Sequence, residues 1–424
     1  MSELALLGGP KAVSKESPET FRWPIITAED EAAVLEALRA GNMSDLNITK
    51  VFEREFGEWF GMPYCLAHCN GTAALLSAMF ACGVGVGDEI ICPSVTYWAS
   101  ALPCYSLGAS AVFADCDLNT LNIDPRDIAH RITDRTKAIV VVHYCGYPCE
   151  MDDIMPIARK RGIKVIEDVS HAQGSLYKGR LAGTIGDVGA MSLMSGKSLV
   201  VGEGGMLITR DRLLWERAVA FGHYERHADL ADPSLTPYKG YPFGGVKHRI
   251  NQLASALGRV QLKHYAVRIE EIQRAMNYFW DLLEGCSGVK AHRPPKGSGS
   301  TMGGWYAAKG LYRAEELGGL HVGTFCKAVT AEGSPIGPGA NPPMHLHPLF
   351  NDYDIYGHGK PTRNAHSARD LRQPPGSLPV SEKIGVSCYS IPHFKHMHGE
   401  VVEQHAAAFR KVAEHAGELL RQSP

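Results

Sequence analysis

From about residue 64, short apolar runs alternate with amphipathic stretches along the chain. Three runs rich in apolar and β-branched residues come first: EIICP, ASAVFADCD and TKAIVVVHYCG. Three more follow as IKVIEDV, DVGAMSLM and GMLITR, and helices are predicted for GTAALLSAMFACGVG, YWASALPCYSLG and MDDIMPIARKRG. Since the runs are continuously apolar rather than alternating, they predict a mostly parallel sheet covered by helices on both faces, which is an α/β fold.

The pattern changes near residue 260. ASALGRVQLKHYAVRIEEIQRAMNYFWDLLEG predicts one long amphipathic helix that connects two parts of the chain. Loops rich in Gly and Pro follow, such as GSGSTMGG and EGSPIGPGANPP, and the chain closes with a predicted helix over EVVEQHAAAFRKVAEHAGELL. We therefore predict two domains: 1–265, an N-terminal segment with the large α/β domain, and 266–424, a smaller α+β domain.

Composition narrows the range of partners. The chain has 424 residues, 45% of them hydrophobic and 21% charged, with a formal net charge of -2. This balance provides no basic field for nucleic acid, and no apolar run reaches the roughly 18 residues of a membrane span. The N-terminus MSELALLGGPKAV has neither the basic region nor the long apolar core of a signal peptide. We expect a cytoplasmic protein that binds neither nucleic acid nor membranes.

The cysteines and histidines do not follow a metal-binding motif. The eleven cysteines are an odd number in mostly apolar surroundings, which is typical of reduced, buried thiols. Neither Cys65 with Cys69 nor Cys145 with Cys149 has a second pair at zinc-site spacing. The C-terminal histidines lack a nearby acid or cysteine to complete a ligand set: His345, His347, His393, His396 and His398. We expect no metal.

Lys197 stands in an unusual place, because the stretch SLMSGKSLVVGEGG puts it within an apolar run punctuated by glycines. Lysine is normally a solvated surface residue, so a loop lysine beside a turn is one interpretation. The other is an amine kept from water so that it can form a Schiff base. Ligands of parallel sheets bind beyond the carboxyl ends of the strands. We therefore expect one crevice to hold the residues at strand ends and helix starts, namely Lys197, Asp168, His143, Gly71 and Thr72.

Asp168 ends the predicted strand IKVIED. An acid there could be a helix cap or half of an ion pair. It could also keep the pyridine nitrogen of pyridoxal phosphate protonated, because the charged ring of that cofactor is its electron sink. His171 could pack on the ring or orient Asp168, or it could be a structural hydrogen-bonding residue. Tyr97 could stack on the ring or belong to the core, and Trp98 competes for the same role.

A phosphate would need a cradle of donors. The segment 70–73 lies at a predicted helix start, where backbone N–H groups, a hydroxyl and the positive end of the helix come together. Its residues are Asn70, Gly71, Thr72 and Ala73. Ser192 and Ser195, close before Lys197, could add hydroxyl donors.

Together these segments resemble the DegT/DnrJ/EryC1/StrS aminotransferases. The resemblance lies in EDVSHAQGSLYKG, GTIGDVGAMSLMSGKSLVVGEGGMLIT, NGTAALLSAMFACGVGVGDEIICPSVTYWASA, HRINQLASALGRVQL and PPMHLHPLF, and it covers nearly the whole chain. LALLGGPKAV and WPIITAEDEAAVLEAL are similar to the branch with inosose aminotransferases and aminohydroxybenzoate synthases. The resemblance implies the fold-type I architecture of pyridoxal-phosphate enzymes: a large domain with a mostly parallel seven-stranded sheet between helices, and a smaller α+β C-terminal domain.

The resemblance also implies a role for each matching residue. Lys197 would form the internal aldimine with pyridoxal 5′-phosphate, and Asp168 would pair with the ring nitrogen. The other cofactor contacts would be Asn70, Gly71, Thr72, Ala73 and Ser192 around the phosphate, Tyr97 on the ring face and His171 near the ring hydroxyl. We expect substrate contacts at Tyr97, His248 and His345.

Three features depart from the family pattern. Met191-Ser192-Leu193 replaces Phe-Ser-Phe, which keeps the serine and changes its packing. The stretch 245–249 replaces Gly-Tyr-Asn-Tyr-Arg, so Lys247 would take the place of the asparagine that reaches the phosphate in the neighbouring subunit. The expanded loops 225–245 and 288–305 have no predicted position.

The sequence thus predicts a homodimeric aminotransferase with shared active sites. It would move an amino group from glutamine or glutamate to a keto-sugar or keto-cyclitol, with pyridoxamine phosphate as the amino carrier. No cluster of Arg and Lys marks a diphosphate pocket, which favours a free cyclitol or small sugar. An aromatising synthase or a dehydratase on a related cyclic ketone is the alternative, although Lys197 in place of histidine argues against a dehydratase. A catalytically silent cofactor-binding protein is a third hypothesis, against which the intact pair of Lys197 and Asp168 argues.

Overall fold

The strands and helices follow the predicted order with a few differences. The computed structural model describes residues 2–15, 17–41 and 43–422. Its strands are β1 (Tyr64–His68), β2 (Glu89–Pro93), β3 (Ser110–Ala114), β4 (Thr136–Val142), β5 (Lys164–Asp168), β6 (Leu176–Tyr177), β7 (Arg180–Leu181), β8 (Val188–Ser192), β9 (Gly205–Thr209), β10 (Val289–Ala291), β11 (Lys309–Tyr312) and β12 (Cys388–Ser390). Its helices are α1 (Ala28–Arg39), α2 (Asn47–Phe60), α3 (Gly71–Ala81), α4 (Pro125–Arg131), α5 (Met151–Lys160), α6 (Arg212–Gly222), α7 (Gln252–Lys263), α8 (Tyr265–Leu282), α9 (Val322–Ala331), α10 (Pro348–Asn351), α11 (Pro379–Ser387), α12 (Gly399–Glu414) and α13 (Ala416–Leu420). Within the described ranges, none of these helices is both long and apolar enough to cross a bilayer.

Seven strands form the large sheet of the described residues, in the order β1-β9-β8-β5-β4-β2-β3. β9 is antiparallel to both of its neighbours, whereas β8, β5, β4, β2 and β3 pair in parallel. The prediction of a mostly parallel seven-stranded sheet is therefore confirmed. β1, at one edge, is the strand that the apolar runs did not single out.

Both faces of this sheet are buried. On one face α3 and α6 pack against strand residues such as Val140, with Leu214 of α6 in the same core. On the other face α4 and α5 cover Ile139, with Ile154 of α5 beside it. Since successive strand residues point to opposite faces, burial on both faces explains the continuous apolar runs. The carboxyl ends of β5 and β8 meet the start of α3 at one edge of the sheet.

β10, β11 and β12 form a separate antiparallel sheet. Helices α8, α9 and α12 bury Phe279, Phe325 and Phe409 in the core beside it. Leu4 of the N-terminal segment is buried in this second core, whereas Phe350 is buried with the large sheet. The predicted domain boundary between residues 265 and 266 falls at the start of α8, and the division itself stays a prediction.

Three predicted helices differ from the structure. Residues 97–108 form two short 3₁₀ helices, Trp98–Ser100 and Leu102–Leu107, because Pro103 has no N–H and disfavours helical geometry in the residue before it. The long connector is divided at His264, whose ring hydrogen-bonds a carboxylate of α1. The closing helix is divided in the same way at His415.

Candidate active site

A cavity of about 330 Å³ lies at the carboxyl edge of the large sheet. The predicted residues that line it are Asn70, Gly71, Thr72, Tyr97, Asp168, His171, Ser192 and Lys197. Three larger grooves, of about 430, 620 and 890 Å³, lie along outer helices and contain none of these residues. The cavity at the sheet edge has the size and the convergent polar groups of a small-molecule site.

Lys197 is buried at the wall of this cavity, with 7% of its surface exposed. Burial lowers the pKa of its amine to about 8, although the nearby Asp168 charge opposes that shift. The Nζ atom lies 3.9 Å from the ring centroid of Tyr306. The backbone carbonyl of Lys197 accepts a hydrogen bond of 2.8 Å from the indole N–H of Trp23. The amine therefore loses its proton far more readily than an ordinary lysine does, and Lys197 is held from two sides.

Asp168 ends β5 and presents its carboxylate to the same cavity. Its Oδ2 accepts a hydrogen bond of 2.8 Å from the Ser100 hydroxyl, and its Oδ1 accepts one of 3.0 Å from the Ser170 N–H. Asp168 and Lys197 do not form an ion pair with each other, so room remains between acid and amine. A ligand with a basic nitrogen at one end and an electrophilic carbon at the other matches this arrangement.

His143 does not join them, contrary to prediction. Its Nε2 lies 2.9 Å from Glu167 Oε2, and its Nδ1 accepts a hydrogen bond from the Cys149 N–H, also 2.9 Å long. Burial raises the pKa of Glu167, but the contact with His143 and the hydrogen bonds from backbone N–H groups outweigh burial and lower that pKa overall. His143 follows β4 but points into the protein, where it satisfies a buried carboxylate.

The start of α3 forms a cradle of free donors. The Asn70 side chain caps the helix by accepting a hydrogen bond of 2.8 Å from the Ala73 N–H. Ala73 therefore has no free N–H for a phosphate, while the N–H groups of Gly71 and Thr72 lack an acceptor among the described residues. A Cβ atom at Gly71 would lie only 2.6 Å from the Cβ of Ser192. Glycine is thus needed for the serine to approach the helix end.

The aromatic side chains of His171 and Tyr97 also line the cavity, each in a distinct setting. The Nδ1 atom of His171 accepts a 3.3 Å hydrogen bond from the Cys145 N–H, which leaves Nε2 as the protonated nitrogen. Burial keeps the pKa of His171 well below its ordinary value. Tyr97 is 51% exposed and Trp98 is 44% exposed, so neither is a core residue. Tyr97 lies at the open rim of the cavity.

Lys247 and His248 do not line the cavity of their own chain. Lys247 is exposed, and its Nζ lies 5.8 Å from the Tyr224 ring. His248 is buried and its Nδ1 lies 3.0 Å from the Ser77 hydroxyl, which also contacts His68 at 2.9 Å. The ring of His248 is therefore part of a buried polar cluster behind β1 rather than a substrate contact in this chain.

His345 and Ser195 also lie outside the cavity lining. The two ring nitrogens of His345 contact the Ser94 hydroxyl at 2.7 Å and a Glu382 oxygen at 3.0 Å, and the side chain is fully buried. Ser195 is exposed and donates to the Gly202 carbonyl at 3.1 Å. The structure does not support His345 as a substrate contact, because both of its nitrogens are occupied.

Sequence reasoning missed several residues of the site. Ser100 holds Asp168, while Tyr306, Glu203 and Asn341 line the cavity. Tyr306 follows the loop 288–305, whose position the sequence did not predict. The flanking Trp305 and Ala307 have φ angles of 55° and 53°, a conformation that non-glycine residues seldom adopt and no sequence pattern announces. Among the described residues, no group of three His, Cys, Asp or Glu side chains could hold a metal ion.

The comparison with protein families decides the relationship of this chain. The model of the DegT/DnrJ/EryC1/StrS aminotransferase family matches residues 24–410. The chain belongs to this family. The resemblance found in the sequence is thereby confirmed over most of the chain.

Individual members of the family show how far the similarity extends. The chain is 36% identical to protein MosB of Rhizobium meliloti over 284 residues, which are 62% of this chain and 54% of MosB, so the match spans about half of that relative. It is 32% identical to L-glutamine:2-deoxy-scyllo-inosose aminotransferase of Streptomyces kanamyceticus over 362 residues, with 82% of this chain and 83% of the relative covered. An aminotransferase from Psychrobacter cryohalolentis shares the fold with a TM-score of 0.80 and 28% identity, over 93% of this chain and 99% of that chain.

Proposed function

We propose that this chain is a pyridoxal-phosphate-dependent aminotransferase that moves an amino group from glutamine or glutamate to a keto-cyclitol or keto-sugar. One observation carries the proposal. A single cavity holds a buried amine of lowered pKa, Lys197, and a carboxylate with a donor on each oxygen, Asp168. A buried amine of lowered pKa that opens into a cavity with convergent polar groups is typical of catalytic sites.

The residues of the cavity fit pyridoxal phosphate. The free N–H groups at the start of α3 and the close Ser192 hydroxyl suit its phosphate, since helix N-termini bind anions. The Asp168 carboxylate would accept a hydrogen bond from the protonated ring nitrogen, and Lys197 would hold the aldehyde carbon at the opposite end. His171 would donate from Nε2 to an oxygen of the ring. When bound, the cofactor supplies an electrophilic carbon and an electron sink.

The chain's own residues would then do the proton work. Once an amino donor has taken its place, Lys197 would be free to accept the proton from the donor's α-carbon at Nζ and to give it back to the carbon on the other side of the transferred nitrogen. Asp168, whose carboxylate is held in place by Ser100 and Ser170, would stabilise positive charge on the ring nitrogen. Tyr306 covers the amine and limits access of water to it.

The choice of substrates rests on the relatives and on the charge of the lining. The Streptomyces relative is named for L-glutamine and 2-deoxy-scyllo-inosose, and 82% of this chain aligns with it. Lys197 is the one cation among the described lining residues, whereas Asp168 and Glu203 are acids. A neutral polyol ketone suits such a lining better than a sugar diphosphate does. We therefore favour a free keto-cyclitol as acceptor.

The test is the visible absorbance of the purified protein before and after addition of L-glutamine and then L-glutamate. We expect a yellow band that bleaches with the true donor and returns when the correct ketone is added. Keto-cyclitols and nucleotide-linked keto-sugars would be compared for that return. A yellow protein that neither donor bleaches would favour the aromatising synthase or dehydratase. A protein that stays colourless with added pyridoxal phosphate would overturn the proposal.

We also propose that two copies form a homodimer in the cytoplasm, with Lys247 contributing to the partner's cavity. Lys247 is exposed, and the loop before it carries exposed aromatic rings at Tyr238 and Tyr241. Subunit complementation tests this idea. Lys197→Met and Lys247→Met homodimers should each be impaired, while mixed dimers regain one site with both wild-type groups. Mixed dimers without recovered activity would contradict the shared site.

A further inference from the structure

A second buried lysine, Lys395, lies in the loop between β12 and α12. Only 6% of its surface is exposed, and no carboxylate among the described residues acts on its amine. Burial alone lowers its pKa to about 7. An unpaired cationic group in the interior is unfavourable for folding, so its presence points to a purpose other than stability.

The amine of Lys395 has two contacts. Its Nζ lies 4.6 Å from the ring centroid of Trp23, and 3.0 Å from Nε2 of His393. The same Nε2 atom lies 3.0 Å from the carbonyl oxygen of Gly304. Lys395 thus braces the N-terminal segment on one side and the loop around residue 304 on the other.

Both contacts lead to Lys197. On one side, the Trp23 indole donates its N–H to the Lys197 carbonyl at 2.8 Å. On the other side, Gly304 precedes Tyr306 by two residues, and the Tyr306 ring lies 3.9 Å from the Lys197 amine. A Cβ atom at Gly304 would lie 2.1 Å from the Cβ of Ser198, so the loop backbone is pressed against the residue after Lys197.

The loop that carries Tyr306 needs such a brace. Trp305 and Ala307 both have positive φ angles, 55° and 53°, which are unfavourable for side chains with a Cβ atom. A strained segment keeps its conformation only where its surroundings hold it. The hydrogen bond from the His393 Nε2–H to the Gly304 carbonyl is one such restraint. The neutral form of the Lys395 amine, which a pKa of about 7 makes available, shares that N–H as a second acceptor and so helps to hold the ring in place.

We propose that Lys395 is a positioning residue for Lys197: through Trp23 it fixes the Lys197 backbone, and through His393 and Gly304 it keeps the Tyr306 ring over the Lys197 amine. Lys395 itself does not line the cavity. The inference rests on the proposed function only in taking Lys197 as the reactive amine, and its test does not depend on turnover.

The test measures the Lys197 amine in the full-length protein freed of any bound cofactor. Reductive methylation at a series of pH values, followed by mass spectrometry of the Lys197 peptide, gives the midpoint at which that amine becomes reactive. In the wild type we expect a midpoint near the pKa of about 8. In Lys395→Met, we expect the Tyr306 ring to move away so that water reaches the Lys197 amine. The midpoint should then rise by about one pH unit, so that at a pH below the midpoint the reactive fraction is about tenfold smaller.

Three variants separate positioning from general damage. His393→Ala should shift the Lys197 midpoint as Lys395→Met does, whereas His393→Gln keeps a donor for the Gly304 carbonyl and should restore it. Lys411→Met is the matched control, because Lys411 pairs with Glu332 at 2.8 Å in the same part of the chain and has no link to Lys197.

The outcomes are distinct. An unchanged Lys197 midpoint in folded Lys395→Met overturns the proposal, as does an equal shift in Lys411→Met. If Lys395→Met fails to fold, the Lys197 midpoint is measured in Trp23→Phe, because phenylalanine keeps a ring for Lys395 and removes only the donor to the Lys197 carbonyl. A raised midpoint would support the proposal, and an unchanged one would overturn it. If the proposed aminotransferase function fails instead, neither donor changes the absorbance of the wild type with added pyridoxal phosphate, while the shift of the Lys197 methylation midpoint in Lys395→Met persists.

Discussion

Lys197 and Lys395 are both buried amines, and their differences show what a cofactor lysine needs beyond burial. Their exposed fractions are 7% and 6%, and burial lowers their pKa values to about 8 and about 7. Lys197 opens onto a cavity of about 330 Å³ that also holds Asp168. Lys395 instead meets an indole and an imidazole. Burial makes an amine easier to deprotonate, but only a cavity with an acid at the far end gives that amine a ligand to hold.

The largest expected effect comes from replacing each lysine with methionine. Lys197→Met removes both the attachment point and the proton carrier, so kcat should fall by at least about 10³-fold and the yellow band should disappear. Lys395→Met should keep the yellow band and lose about tenfold in kcat, since it acts through other residues. Steady-state rates with glutamine and absorbance spectra measure both effects. Equal losses in the two variants would remove the distinction between them.

The second substitution, Asp168→Asn, removes the Asp168 carboxylate from the Lys197 cavity, which makes the surroundings of Lys197 more like those of Lys395. Asp168→Asn preserves shape and the contact with Ser100, but it no longer stabilises a protonated ring nitrogen. We expect kcat to fall by about 10²- to 10³-fold, a typical cost of one lost electrostatic contact at the reacting centre. The neighbouring acid is the control. Glu167→Gln leaves His143 and buried N–H groups poorly matched, so it should lower stability while the rate per folded molecule changes little.

The third prediction concerns stability and follows from the missing partner of Lys395. Its pKa is about 7 in the folded chain against 10.5 ordinarily, so the unfolded chain binds more protons between these values. The resulting penalty is fully present below about pH 7 and disappears as the pH rises to the ordinary value. Lys395→Met should therefore raise the free energy of unfolding near neutrality by on the order of 3 kcal/mol, allowing for lost contacts with Trp23 and His393.

Denaturant unfolding at neutral and at alkaline pH measures this effect. The gain from Lys395→Met should shrink as the pH rises. Lys411→Met should have the opposite sign at neutrality, because Lys411 pairs with the buried carboxylate of Glu332 at 2.8 Å. A Lys395→Met protein that is less stable than the wild type at neutrality would show that the lysine has a stabilising partner after all.

Sequence patterns could predict the part of the site that lies at the carboxyl edge of the large sheet. Lys197 and Asp168 could be predicted because continuous apolar strands end beside them, and parallel strands bring their carboxyl ends to the same edge of the sheet. The same rule wrongly included His143, because it locates a strand end without saying which way the side chain points. The buried pair with Glu167 is a contact between neighbouring strands that no spacing reveals.

Lys395 and Tyr306 lay beyond sequence reasoning for a different reason. The roles inferred for Lys395 and Tyr306 depend on contacts between segments that are distant in the sequence. These contacts join Trp23 to Lys197, His393 to Gly304, and Tyr306 to Lys197. The histidines around Lys395 invited a metal hypothesis instead. A lysine in a loop is expected to be solvated unless the segments that bury it are known.

The smallest expected effect concerns the phosphate cradle, which the Lys395 site lacks. Gly71→Ala places a Cβ atom 2.6 Å from the Ser192 Cβ, so the hydroxyl and the free N–H groups of α3 must move apart. Losing about one charge-assisted hydrogen bond should weaken pyridoxal phosphate binding about tenfold. The rate at saturating cofactor should change little, because Lys197 and Asp168 remain in place. Tryptophan fluorescence during a cofactor titration measures the affinity.

Gly385→Ala is the matched control for Gly71→Ala. Gly385 lies in α11, and a Cβ atom there meets nothing within 4 Å, so its replacement should leave cofactor affinity unchanged and slightly favour the helix. If Gly71→Ala bound the cofactor as tightly as Gly385→Ala, the start of α3 would not be the phosphate site. The difference between the two lysines would then rest on Asp168 alone, since the cradle would no longer distinguish the cavity around Lys197.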